Sequence, residues 1–153
     1  MTTLKKGDKA PNFTGFDQDG NVHKLADYVG KKLVIFFYPK ANTPGCTAEA
    51  SNLAANYEQF KSRNYEILGI SADDQITQLK FKEKFNLPFP LIADKEKNII
   101  EAYGVWGPKK FMGREYDGIN RTTFIIDENG FIEEVISDVK TKTHAEQIFS
   151  YSI

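Results

Sequence analysis

The chain has a single cysteine, Cys46, in 153 residues. That excludes an intramolecular disulfide and any Cys-rich zinc site, and the lack of a Cys-x-x-Cys pair removes the usual dithiol exchange motif. No Gly-rich phosphate loop supports nucleotide binding. Charge of either sign is not in excess: 20 Lys and Arg against 21 Asp and Glu leave a net charge of -1. Such a balance has no footprint for nucleic acid or an anionic membrane. No apolar run approaches the ~18 residues of a membrane span. The opening Met1-Thr2-Thr3-Leu4-Lys5-Lys6-Gly7-Asp8 has no apolar signal-peptide core. A reducing, cytoplasmic setting is therefore expected, with a small molecule or another protein as partner. Asn12-Phe13-Thr14 and Asn120-Arg121-Thr122 match the glycosylation pattern, which matters only in an exported chain.

What is present is organised around one stretch. Leu33-Val34-Ile35-Phe36-Phe37 has the length and composition of a fully buried strand. The chain then breaks at Pro39 and at Pro44-Gly45, and apolar residues resume at Ala50, Leu53, Tyr57 and Phe60, the spacing of an amphipathic helix. Cys46 is thus expected in the first turn of a helix, just beyond the carboxyl end of a central strand, where ligands bind in open α/β sheets. Free backbone N–H groups and the positive end of the helix dipole favour a thiolate there. A free cysteine is often merely packed, but the polar, turn-forming Thr43-Pro44-Gly45-Cys46-Thr47 argues for a reactive one.

The remaining segments predict a single domain spanning 1–153, of a size that buries roughly 70% of its unfolded surface. Asp17-Gln18-Asp19-Gly20-Asn21 is the turn of a small hairpin, and it lacks the closing Glu of a calcium loop. Residues 65–71 read as a second strand. Residues 74–86 read as a charged helix anchored by Ile76, Leu79 and Phe85. Residues 89–94 are short and extended, and 95–103 form a short helix closing at Gly104. Residues 105–120 show no clear periodicity and are expected as a loop with some strand. Residues 122–136 form a hairpin around Glu128-Asn129-Gly130, and a last helix covers about 142–151. This order gives an α/β fold with a mixed sheet and helices on both faces.

At this point the chain resembles a known family. Pro39-x-x-x-Thr43-x-x-Cys46 is the active-site signature of the peroxiredoxins. The longer Phe37-Tyr38-Pro39-Lys40 and Asn42-Thr43-Pro44-Gly45-Cys46-Thr47 resemble the Q-type branch, the bacterioferritin comigratory proteins. Further matching blocks are Gly7 to Phe13, Gly104-Val105-Trp106-Gly107 and Gly118 to Asp127. The resemblance implies a thioredoxin-like three-layer α/β/α sandwich. It also implies thiol-dependent reduction of hydrogen peroxide and organic hydroperoxides, with no cofactor and no metal. It makes Cys46, Thr43, Arg121 and Pro39 catalytic. Cys46 would attack the O–O bond and become a sulfenic acid. Arg121, permanently charged, would stabilise the thiolate and polarise the peroxide; its alternative is a surface ion pair. Thr43 can donate and accept beside the sulfur, or serve as a plain helix N-cap. Pro39, without an N–H, would wall the pocket from water, or simply end a strand.

Glu49 is expected either to pair with Arg121 and orient it or to be a solvated carboxylate on the helix face. Tyr38, Phe37, Phe111 and Trp106 are candidates for an apolar mouth, or for the core. His23 and His144 lie far from every motif and are given no role. Many Q-type members carry a resolving cysteine five residues after the peroxidatic one, where this chain has Ser51, natural or engineered, followed by Leu53-Ala54-Ala55. The sulfenic acid must then be reduced by an external thiol such as thioredoxin or glutaredoxin, in a monomer or weak homodimer. A redox sensor or holdase signalling through oxidised Cys46 is the competing reading.

Overall fold

The computed structural model describes residues 2–151, and the backbone but not the side chain of Phe111. Its centre is β3 (Lys32–Phe37), whose residues from Leu33 onward are all buried. It pairs in parallel with β4 (Tyr65–Ser71) and antiparallel with β8 (Thr122–Ile126). With β5 (Leu91–Ala93) and β9 (Ile132–Ile136) these form a five-stranded mixed sheet of order β5-β4-β3-β8-β9.

Alternation along β3 divides the interior, because successive side chains leave a strand on opposite faces. Val34 and Phe36 join one apolar core with residues of four helices: α1 (Pro44–Ala55), α2 (Tyr57–Ser62), α3 (Gln75–Lys84) and α5 (His144–Phe149). Leu33, Ile35 and Phe37 join a second core under α4 (Asn98–Ala102) and the amino-terminal segment. The result is the expected three-layer sandwich of thioredoxin type. At Gly69 the layers approach so closely that a Cβ would stand 2.8 Å from both Phe36 and Leu91 side-chain atoms.

The hairpin of β1 (Thr14–Phe16) and β2 (Val22–Lys24) forms as expected. Asp17 Oδ1 accepts from the backbone of Asp19 and Asn21, which closes the turn. Three expectations need correction. The apolar stripe from Ala50 to Phe60 is not one helix: Ala50 and Leu53 lie in α1, and Tyr57 and Phe60 in α2, past a break at Asn56. Residues 105–120 form a complete two-stranded hairpin, β6 (Trp106–Phe111) with β7 (Arg114–Ile119). In α3, Ile76 is 65% exposed, and Gln78 and Phe81 take the buried positions. Gln78 is drawn inward by polar partners: it donates to Ser71 Oγ and the Ile92 carbonyl and accepts from the Tyr38 hydroxyl. Leu79 and Phe85 are partly buried, as anchors would be.

Candidate active site

Cys46 is the third residue of α1, and α1 begins seven residues beyond the end of β3. Pro44 opens the helix, where its missing N–H costs nothing. Between strand and helix, the loop is tied to the end of β4. Asp73 Oδ2 accepts from the Ala41 N–H at 2.8 Å and from Ser71 Oγ at 2.6 Å. Sequence spacing had singled out none of these anchors.

Arg121 reaches the same place from another strand. It immediately precedes β8, whose first residue Thr122 faces Phe37 at the end of β3. The sheet register therefore delivers its side chain to the start of α1. One guanidinium nitrogen lies 3.3 Å from Cys46 Sγ, and the other donates to Glu49 Oε1 at 2.7 Å. Gly45 makes room for it: a Cβ there would stand 3.1 Å from the guanidinium. Burial alone would make Arg121 easier to deprotonate, but the neighbouring Cys46 and Glu49 reverse that and raise its pKa. Its cation is thus secure at any working pH.

Cys46 is 1% exposed and Glu49 fully buried. Burial pushes the Glu49 carboxyl up from 4.5 to about 7, against the pull of Arg121. Glu49 is thus not the solvated carboxylate that was one of its two readings. The structure brings Cys46, Arg121 and Glu49 together. Thr43 holds the N-cap position but makes no side-chain cap bond; its hydroxyl donates to the Lys40 carbonyl at 2.7 Å. Pro39, Lys40, Trp106, Lys109, Tyr116 and Ile119 are among the residues lining a groove of about 340 Å³. Trp106 thus lines a groove beside Pro39 and Lys40. Phe37 and Tyr38 are wholly buried in opposite cores, and the Phe111 side chain lies outside the described residues.

His144 corrects the expectation that it is remote. It is the first residue of α5, fully buried, and its Nε2 lies 3.4 Å from Glu49 Oε2. Ninety-five positions separate the two in sequence, and no local pattern reveals the contact. His23 is away from the site, bonded to Asp17 and Tyr28. Ser51 lies inside the unbroken helix α1. Among the described residues no group of three or more His, Cys, Asp or Glu is arranged to hold a metal ion, and no helix is long and apolar enough to cross a membrane.

A family model described as the AhpC/TSA family matches residues 6–135. Peroxiredoxin Bcp of Escherichia coli strain K12 is 44% identical over 99% of this chain and 97% of its own length. A solved PrxQ mutant from Xylella fastidiosa matches with a TM-score of 0.91 at 30% identity, over 98% of this chain and 96% of that one. A bacterioferritin comigratory protein from Xanthomonas campestris, solved as trapped intermediate and ligand complexes to study alkyl peroxide reduction, matches with a TM-score of 0.84 at 30% identity, over 90% of this chain and 88% of that one. The chain belongs to the AhpC/TSA family and, within it, to the peroxiredoxins of the Bcp or Q type. It is accordingly a thiol peroxidase, an oxidoreductase whose substrates are a peroxide and a thiol reductant.

Proposed function

We propose that Cys46 is the peroxidatic residue and that Arg121, Thr43, Pro39 and Glu49 serve it in one domain spanning 1–153. The observation that carries this reading is the 3.3 Å approach of the Arg121 guanidinium to Cys46 Sγ. The thiolate sulfur attacks one peroxide oxygen, an S–O bond forms and the O–O bond breaks. Sulfur is oxidised by two electrons, and the departing oxygen leaves as an alkoxide or hydroxide that takes a proton. Negative charge moves from sulfur to that oxygen, and a fixed cation beside both stabilises the transition state more than the ground state. The Thr43 hydroxyl, with its proton engaged by Lys40, offers lone pairs to the incoming peroxide O–H. Pro39 presents no N–H to compete for either oxygen. Glu49 holds the second guanidinium nitrogen and fixes the plane of the first.

The groove beside Pro39 suits an alkyl chain: Trp106, Tyr116 and Ile119 supply apolar wall. Lys109 on that wall is near enough to the site to feel the charges of Arg121 and Cys46. Organic hydroperoxides as well as hydrogen peroxide are the proposed oxidants.

With Ser51 in place of a second thiol, an external thiol completes the cycle. It attacks the Cys46 sulfenic acid, expelling water and leaving a mixed disulfide. A second thiol then releases Cys46 as the product disulfide forms. Thioredoxin or glutaredoxin would serve in the cytoplasm, with the protein acting as a monomer or weak homodimer. The test is hydrogen peroxide consumption with dithiothreitol as reductant. Continuous turnover that Cys46→Ser abolishes supports the reading. A single stoichiometric oxidation without turnover would instead make Cys46 a sensor.

A further inference from the structure

Behind Arg121 lie two buried ionisable side chains whose protons the steps above do not use. Glu49 and His144 are both fully buried. Glu49 Oε1 is taken by Arg121, but Oε2 has no hydrogen-bond partner among the described residues. His144 Nε2 stands 3.4 Å from that oxygen.

The tautomer of His144 follows from its surroundings. Gln147 donates from Nε2 to the Asp138 carbonyl at 2.8 Å and accepts at Oε1 from the Lys140 N–H at 3.0 Å, so its amide orientation is fixed. Its Oε1 lies 2.8 Å from His144 Nδ1, which must therefore carry a hydrogen. A neutral His144 then presents a bare Nε2, 2.8 Å from the Thr123 hydroxyl that donates to it. An ionised Glu49 would hold an unpaired, buried, charged oxygen against that nitrogen lone pair, an arrangement folded proteins avoid. A single added proton between Oε2 and Nε2 gives the oxygen a partner, and the Nε2 lone pair then accepts from both Glu49 and the Thr123 hydroxyl.

We propose that Glu49 and His144 share one buried proton between Oε2 and Nε2, and that His144 thereby acts as a positioning residue for Arg121. With the proton in place the pair is neutral, and the Arg121 charge is left to Cys46 and the peroxide. Without it, a full negative charge stands behind Arg121 and competes with sulfur for the guanidinium.

The ionisable groups facing Glu49 are Cys46 on its own helix, Arg121 before β8 and His144 on α5, with Lys109 of β6 beyond Arg121. Lys142 and Glu146, flanking His144, are exposed, as are Glu58 and Lys61 of α2. Burial raises the Glu49 carboxyl to about 7 and lowers His144 to about 4, so the proton resides chiefly on Glu49 and leaves near neutrality. The effect on rate rests on the peroxidatic reading of Cys46; the proton itself does not.

The test follows the Glu49 carboxyl carbon and the His144 ring nitrogens by NMR from pH 5 to 9 in the reduced, labelled wild-type protein. The chain has two histidines, so His144→Leu assigns the signals. The expected result is a carboxyl titration near neutrality with the His144 Nε2 shift moving at the same midpoint. A Glu49 carboxyl ionised across the whole range overturns the proposal.

Stopped-flow oxidation of Cys46 by hydrogen peroxide over the same range adds the functional readout. Relative to Glu49→Gln, which cannot ionise, the wild-type rate should fall several-fold as pH rises through that midpoint. His144→Leu should move the fall about one pH unit lower, because the proton has lost its acceptor. An unmoved midpoint overturns the role given to His144. Failure of Cys46 to react at all would refute the peroxidatic reading, while the carboxyl titration would still decide the shared proton.

Discussion

His23 and His144 each lie against a carboxylate, at 2.7 Å from Asp17 and 3.4 Å from Glu49. At the amino-terminal hairpin every partner is satisfied. His23 bonds Asp17 and Tyr28 through its two nitrogens, and Asp17 Oδ1 takes two backbone N–H groups. Burial would raise the Asp17 carboxyl, but these bonds outweigh it and hold it below its usual value. Behind Arg121 the balance is reversed: one carboxylate oxygen lacks a hydrogen bond, and burial pushes Glu49 up to about 7. A saturated cluster holds a turn in place. An unsaturated one, fully buried behind Arg121, leaves room for a proton that sets the charge behind the guanidinium.

The largest effect that separates the two clusters is expected at Arg121. Arg121→Met keeps much of the apolar stem but removes the cation, and should slow Cys46 oxidation by roughly 10²–10³-fold. Stopped-flow kinetics beside a thermal melt check this. A melt that collapses while the rate per folded molecule survives would return Arg121 to a structural role.

Next is the pH dependence of stability. The Glu49 carboxyl is raised in the folded state, from 4.5 to about 7. Its stabilising contribution is therefore complete below pH 4.5 and is lost as pH rises to 7, a change of about 3 kcal/mol. Glu49→Gln cannot titrate, so the wild type should lose about that much relative to the variant across this interval. His144, lowered from 6.5 to about 4, works in the opposite sense: its contribution is present above pH 6.5 and lost toward 4. Because it touches Glu49 it does not cancel in the difference, so the comparison is repeated in a His144→Leu background, where that imidazole is absent. Urea denaturation at pH 4.5, 6 and 7.5 reads the effect, and parallel curves for the two proteins would contradict it.

At the saturated cluster, His23→Leu should cost about 2 kcal/mol by stranding the buried Asp17 carboxylate, with peroxidase activity per folded molecule unchanged. A loss of activity there would erase the contrast drawn between the clusters. The smallest effect is expected for Gly45→Ala, whose Cβ would stand 3.1 Å from the guanidinium. A shift of a few tenths of an ångström should cost about 1 kcal/mol in the oxidation barrier, roughly fivefold in rate. An unchanged rate would mean that Arg121 tolerates displacement.

Elements with strong local periodicity were legible in the sequence: the buried run of β3, the start of α1 with its buried Ala50 and Leu53, and the turn at Glu128-Asn129-Gly130. The break at Asn56 between α1 and α2 was not, and neither were residues 106–119. Pro108, Lys109 and Lys110 interrupt any alternation in β6, and β7 is exposed through Arg114–Asp117. The turn rests on positive φ at Met112 and Gly113, and methionine signals no such conformation. Ile76 and Gln78 were transposed because a buried glutamine reads as surface until its partners Ser71, Ile92 and Tyr38 are known. At the site, Cys46, Thr43 and Arg121 came from a motif. Glu49 came from its helical spacing, three residues after Cys46. His144 and Asp73 act through contacts that only the fold creates.

The most direct test of the central claim is mass spectrometry of Cys46 after one equivalent of hydrogen peroxide, followed by dithiothreitol. Cys46 should gain one oxygen atom rapidly, faster by at least about 10² than in Arg121→Met, and lose it fully to the thiol. Oxidation of the wild type no faster than that of Arg121→Met would contradict the claim.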